Sequence, residues 1–371
     1  MVARILAFGT SVPATVLAQP QIRDIFARQP GIDRLASRWI HAAFDQSAID
    51  RRYTVITELG DGNEPRGVFI DTESGELLTP STGTRNDIYK REAPALFAGA
   101  ATDALTRAGV EAGEVTHIVT ASCTGFFAPG PDFRLVRDLG IRPTAERYHL
   151  GFLGCAAAFP ALRAATRICD AQPEAVVLVV CAELCTIHNR SSKDPEQIVA
   201  TAVFADGAAA AVVTATLPRR DQPVLEIGDF FTAITGEGES DMMWTIGDEG
   251  FEMTLTAEVP RIVGREIREV VRTVLGSDDE PSDAVDAWAV HPGGRSVLDR
   301  VQSGLDLPDD AMAHSRGVLA EYGNMSSATV MFILQRILAD DTLHDGARVG
   351  GLAFGPGLTV EAARFTRRVH A

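Results

Sequence analysis

No run of eighteen apolar residues occurs in the 371-residue chain, so no transmembrane helix is expected. The opening apolar stretch, residues 1–9, is too short for a secretory leader and reads as a first strand. Cysteine is sparse. Cys123, Cys155, Cys169, Cys181 and Cys185 are odd in number and lack the spacing of a disulfide framework. That excludes a small disulfide-stapled scaffold and points to a reducing cytoplasm. Paired Cys-x-x-Cys ribbons and His-Glu-x-x-His are both missing, so no metal centre is expected. Positive charge is in deficit: 34 Lys and Arg stand against 50 Asp and Glu, for a net charge of −16. This balance argues against nucleic acid or an anionic membrane as the main partner. An anionic substrate would need local positive charge at its entrance.

What is present is a large apolar fraction. At 46% hydrophobic, the chain can bury a core of two domains or one duplicated domain, and its 23% charged residues are ordinary for a soluble protein. His117–Cys123, Ala175–Cys181, Ala208–Thr214, Val224–Phe230, Ala287–Val290 and Val349–Phe354 read as buried strands. Pro94–Gly109, Cys155–Asp170, Val259–Leu275 and Gly294–Leu305 read as helices. The alternation predicts an α/β protein with mostly covered sheets. Thr54–Asn86 reads as a long polar surface excursion, and Arg219–Pro223 and Gly276–Pro281 as connectors. A boundary near Pro218 divides the chain into residues 1–218 and 219–371. The alanine runs 156–158 and 208–211 imply close packing. A faint internal echo pairs Phe204-Ala205-Asp206-Gly207 with Phe354-Gly355-Pro356-Gly357, each a glycine turn leading into a strand.

Three segments carry candidate chemistry. In Gly151-Phe152-Leu153-Gly154-Cys155-Ala156, a glycine turn precedes a cysteine at a helix start. The helix N-terminus would favour thiolate over thiol, although a small core residue is an equal reading. His291 ends a strand and is followed by Pro292-Gly293-Gly294, as a turn histidine or a catalytic one. Asn324, in Tyr322-Gly323-Asn324-Met325-Ser326-Ser327, breaks a helical pattern. It is either a loop residue before a serine N-cap or an amide donor aimed at an oxyanion.

Together these segments resemble the Cys-His-Asn set of type III polyketide synthases, the chalcone and stilbene synthase superfamily. His-Pro-Gly-Gly (291–294), Tyr-Gly-Asn-Met-Ser-Ser-Ala (322–328) and Phe-Gly-Pro-Gly-Leu-Thr-Val-Glu (354–361) stand in the family's order. The resemblance spans nearly the whole chain and looks most like bacterial members. It implies a thiolase fold, five-layered αβαβα with duplicated halves, and a cytoplasmic homodimer. It implies no metal and no redox cofactor, with acyl-CoA and malonyl-CoA as substrates. Cys155 would accept the starter acyl group, and His291 would hold the thiolate as an ion pair. His291 and Asn324 would then stabilise the enolate formed by malonyl decarboxylation. Chain extension would end in cyclisation to a pyrone, a resorcinol or a related aromatic product.

The resemblance also assigns pocket residues. Phe204 and Phe251 match the family's gate between entrance and cavity. Cys123, Cys185 and His188 fall where plant enzymes carry threonines, and Met242 where they carry a glycine that sets cavity size; Ser326 joins this pocket group. These departures favour a long-chain fatty acyl starter over a cinnamoyl one. Ala42 and Gln46 replace two of the basic residues that bind coenzyme A, which leaves Arg51 and Arg295, with Arg38, as candidate cations. The alternative acyl donor is an acyl carrier protein. The rival activities are a single-condensation enzyme like ketoacyl synthase III and a Cys-His hydrolase, in which Asn324 would have no clear role. A non-catalytic thiolase-fold binding protein should have lost one of Cys155, His291 and Asn324, and none is lost.

Overall fold

The structure, a computed structural model, describes residues 2–60, 67–71, 73–218, 222–275 and 284–369. Much of the two predicted connectors, 219–221 and 276–281, and part of the predicted surface excursion, 61–66 and 72, lie outside the described residues.

The strands of the first half are β1 (Arg4–Ser11), β4 (His117–Ser122), β5 (Glu146–Gly151), β6 (Val176–Leu184) and β7 (Asp206–Thr214). Those of the second are β8 (Pro223–Ile234), β11 (Ala287–Val290), β12 (Arg348–Gly355) and β13 (Thr359–Val369). They form one hydrogen-bonded sheet in the order β11-β12-β13-β8-β1-β7-β6-β4-β5. The two halves repeat one pattern outward from the β1–β8 seam. In each, the seam strand pairs antiparallel with the last strand, that strand antiparallel with the next, and that one parallel with its outer neighbour. The echo in the sequence has a physical meaning, because β7 and β13, which follow its two glycine turns, occupy equivalent places. Along the seam itself, β1 and β8 pair at two positions, Arg4 with Glu226 and Ile5 with Leu225.

Three apolar cores show how the layers stack. Successive side chains of a strand face opposite ways, so a strand covered on both faces must be apolar throughout. Val177, Val179 and Cys181 of β6 enter a central core, while Leu178, Val180 and Ala182 enter an outer one. The central core contains helices α5 (Ala158–Ala171) and α10 (Thr329–Leu338), with strands of both halves packed on them. The outer core of the first half is covered by α3 (Thr82–Ala108), and that of the second by α7 (Glu258–Leu275) and α8 (Arg295–Gly304). Helix, sheet, helices, sheet, helix is the five-layered thiolase arrangement.

The long helix corrects one expectation. The sequence places its start at Pro94, a residue suited to the first helical turn. Instead α3 begins at Thr82, where the Ser81 hydroxyl caps the Thr84 N–H at 3.3 Å, and continues through Pro94 to a left-handed Gly109. Its buried Ile88, Tyr89, Leu96, Phe97 and Ala100 provide packing that outweighs the one backbone hydrogen bond a proline removes. The Thr54–Asn86 excursion is also more ordered than expected. The Glu58 carboxylate accepts the N–H groups of Val68, Phe69 and Ile70, and Ile70 bridges Leu77.

Candidate active site

Both central helices are entered through a short 3-10 turn. Gly154–Ala156 precedes α5, and Ser326–Ala328 precedes α10. Cys155 therefore sits in the turn just before its helix, rather than in the first α-helical turn. Gly154 is required there. It holds φ +58°, and a Cβ on it would lie 2.5 Å from Pro356 Cδ of the Gly-Pro-Gly segment.

Asn324 is placed by backbone pairing. Its N–H donates to Val203 O at 2.8 Å, and its own carbonyl accepts the Ala205 N–H at 2.8 Å. Gly323 before it holds φ +72°, and a Cβ there would meet the Arg52 side chain at 2.8 Å. The side-chain amide is oriented too. Oδ1 accepts the Ser326 N–H at 2.8 Å, which leaves Nδ2 free to donate. Cys155 Sγ lies 3.9 Å from Oδ1 and 4.0 Å from Nδ2.

His291 follows β11 and is held by its N–H bond to Leu352 O at 2.8 Å. It is fully buried, and neither ring nitrogen has a hydrogen-bond partner. Burial pushes its pKa down to about 3, so the ring is neutral. An orphaned buried donor needs an explanation, and here the ring faces a cavity. That cavity, of about 910 Å³, brings Cys155, His291, Asn324, Phe204 and Met242 together.

The sulfur departs from the sequence expectation. Burial pushes the Cys155 thiol up to about 11, against the lowering influence of the Ser326 side chain; the Glu183 charge raises it further, and Asn324 lowers it. Desolvation thus outweighs the helix N-terminus. No hydrogen bond joins His291 to the sulfur, and in this resting geometry both groups are neutral.

Glu183 was not singled out from the sequence. It is fully buried, and burial raises its pKa. Its Oε2 accepts Thr124 Oγ1 at 2.8 Å and the Cys123 N–H at 2.9 Å, while Oε1 accepts Ser327 Oγ at 2.6 Å. The carboxylate thus ties the end of β4 to the turn that carries Ser326. A lone glutamate inside the apolar run 176–184 was the signal available.

The remaining pocket residues form a second, filled group outside the cavity lining. Cys123 Sγ lies 3.4 Å from Glu183 Oε1 and 3.7 Å from Ser326 Oγ. His188 donates Nε2–H to Thr124 O at 2.7 Å, accepts the Phe251 N–H on Nδ1 at 3.0 Å, and stacks on the Phe251 ring at 4.2 Å. Trp244 packs edge-on against both rings and donates to Cys123 O at 2.6 Å. Cys185 is buried beside this group.

The cavity mouth lies between two walls. One is formed by α2 (Arg34–Asp45) and α6 (Pro195–Val203), the other by α7 and α8. Arg295 stands on the second wall with Arg261 and Arg300. Arg51 does not line the cavity. It extends from β3 (Arg51–Thr54) to Glu321 at 3.8 Å and is half exposed. Among the described residues, no group of three His, Cys, Asp or Glu side chains is placed to hold a metal.

Comparison with known proteins agrees with this geometry. Residues 1–217 match the N-terminal domain of chalcone and stilbene synthases, and residues 231–367 match the C-terminal domain. A probable polyketide synthase 1 of Dictyostelium discoideum is 30% identical over 362 residues, covering 96% of this chain and 11% of that protein. The chain thus spans about a ninth of that relative's length. The crystal structure of the C-terminal type III polyketide synthase domain of Steely1, a type I/III hybrid from Dictyostelium, is 28% identical with a TM-score of 0.89 over 100% of both chains. That of PKS-I from the brown alga Ectocarpus siliculosus is 28% identical with a TM-score of 0.91 over 98% of each. With family matches over both halves and a shared fold, the chain belongs to the chalcone and stilbene synthase family, the type III polyketide synthases.

Proposed function

We propose that the protein loads an acyl group from a thioester onto Cys155 and extends it with malonyl-CoA by decarboxylative condensation, then cyclises the chain to a pyrone or resorcinol. The observation that carries this reading is the convergence of one thiol, one unpartnered imidazole and one free amide N–H on a single cavity. Loading needs a thiolate, so the Cys155 proton passes to His291 as the thioester approaches. The sulfur attacks the acyl carbonyl, and the coenzyme A thiolate leaves and recovers the proton. In the extender, the bond to the carboxylate breaks, carbon dioxide departs, and the electron pair forms an enolate. The neutral His291 and Asn324 Nδ2 are donors without competing partners, suited to that oxygen. The enolate carbon attacks the acyl-Cys155 carbonyl, and the sulfur leaves.

A long-chain fatty acyl starter fits this site best. The walls contribute Trp39, Ile198, Val199, Met253, Leu255 and Val259, an apolar surface suited to an alkyl chain. Arg295 and Arg300 offer charge for the coenzyme A phosphates on the wall opposite Ala42 and Gln46. One observation favours few extensions. Phe251, His188 and Cys185 pack on other side chains instead of lining open space. Five free thiols favour a reducing compartment such as the cytoplasm. We further propose a homodimer, since Phe126 (49% exposed), Tyr148, Phe152 and Leu153 present apolar surface around the edge strand β5.

Four outcomes are expected. Iodoacetamide inactivation of the free enzyme should rise about tenfold per pH unit from pH 7 to 10, because the thiol stays protonated below about 11. A plateau beginning near pH 7 would show that the ion pair already exists at rest. Asn324→Ala should slow malonyl-CoA decarboxylation by roughly 10²–10³ while Cys155 still acylates; unchanged carbon dioxide release would remove Asn324 from that step. Given malonyl-CoA and a series of acyl-CoAs, the enzyme should favour long alkyl starters, and Cys155→Ala should make nothing. Mass analysis that found only cinnamoyl-derived products would refute the starter assignment. Light scattering at micromolar concentration should give twice the monomer mass, and a monomer would contradict the dimer.

A further inference from the structure

Beyond Trp39, which joins the acyl wall, the outward face of α2 has no role in the chemistry above, and its composition is unusual. Leu35, Arg38, Trp39 and Ala42 follow helical spacing and share one face. Leu35 is 54% exposed and Trp39 40% exposed, and Val199 on the neighbouring α6 is 39% exposed. Trp39, Ala42 and Val199 also line the cavity mouth, so this apolar strip leads from the surface into the acyl site.

The charge around the strip has one sign left over. Asp33 caps the helix through the N–H groups of Leu35 and Ala36 and is met by Lys193 at 3.6 Å. Asp45 at the far end is paired with Arg23 at 2.6 Å. Arg34 and Arg38 are exposed and have no ion pair among the described residues. In a chain of net charge −16, the α2 face next to the cavity lining thus carries two arginines without an ion pair beside exposed Leu35 and Trp39, with Glu196 of α6 the nearby acid.

We infer that this face docks an acidic acyl carrier protein, which delivers the starter on its phosphopantetheine arm. The inference rests on the acyl-loading role proposed for Cys155. A coenzyme A nucleotide could use the arginines but has no surface for Leu35. The α2 positions nearest the mouth, Ala42 and Gln46, offer it no charge. A carrier helix with acidic and apolar residues matches both features of the face. An anionic membrane matches them locally, but its plane would also meet the acidic remainder of the surface. A carrier touches only a small footprint, and charges outside it are screened beyond about 8 Å at physiological salt.

The test compares two donors of one chain. Hexadecanoyl groups are supplied on the acidic carrier protein of a dissociated fatty acid synthase, or as hexadecanoyl-CoA. Acyl transfer to the full chain is followed by intact mass in single turnover. Arg34→Glu and Leu35→Asp should each lower kcat/KM for the carrier-bound donor about tenfold or more, and leave the coenzyme A donor within about twofold. Equal loading by variant and wild type from the carrier would overturn the inference. So would a wild-type enzyme that loads from coenzyme A but not from the carrier. Loss of binding to anionic phospholipid vesicles, with carrier loading intact, would assign the face to lipid headgroups instead. If neither donor acylated wild-type Cys155, the acyl-loading reading itself would fall, and this one with it.

Discussion

The structure depends on the burial of two helices between the two halves of one sheet. A helix leaves its first N–H groups without internal partners, and inside a dry core these cannot turn to water. Here α5 and α10 both begin deep in the molecule, each through a 3-10 turn, and the two turns touch. Cys155 sits in one turn, and Asn324 two residues before the other. The place where the fold must leave polar groups inside the protein is also where its reactive groups stand.

That burial determines the electrostatics of the site. Desolvation favours the neutral form of any ionisable group. It raises the Cys155 thiol and lowers the His291 imidazole, and the buried Glu183 adds to the first effect. A resting neutral pair is compatible with the chemistry, because charge is needed only while a thioester is present. A neutral imidazole is also a sound donor to an enolate oxygen, and it requires no reorganisation of water when that charge appears.

The two ends of the site differ in kind. The inner group of Cys123, His188, Trp244 and Phe251 is tied by hydrogen bonds that satisfy both nitrogens of His188 and join three separate loops. Each of these side chains fixes another. The outer mouth is built from helix faces whose arginines are exposed and whose ion pairs, such as Arg295 with Asp299 at 3.4 Å, are easily exchanged for a ligand's phosphates.

The sequence by itself determined the fold class, most of the buried strands and the three residues that the cavity later brings together. Each of these leaves a local mark. A buried strand must be apolar along its whole length, Cys155 needs the left-handed Gly154 before it, and Asn324 needs Gly323 where Arg52 passes. The same local reasoning started α3 too late, at Pro94, because the packing that carries a helix through a proline comes from residues distant in the chain. It also left Glu183 as an unremarked glutamate. Only the tertiary structure decided which side chains line the cavity and which fill it. It alone left both nitrogens of His291 unpartnered and paired the acids of α2 while two arginines stayed free. These properties depend on distances between elements far apart in sequence, and no local pattern of residues records them.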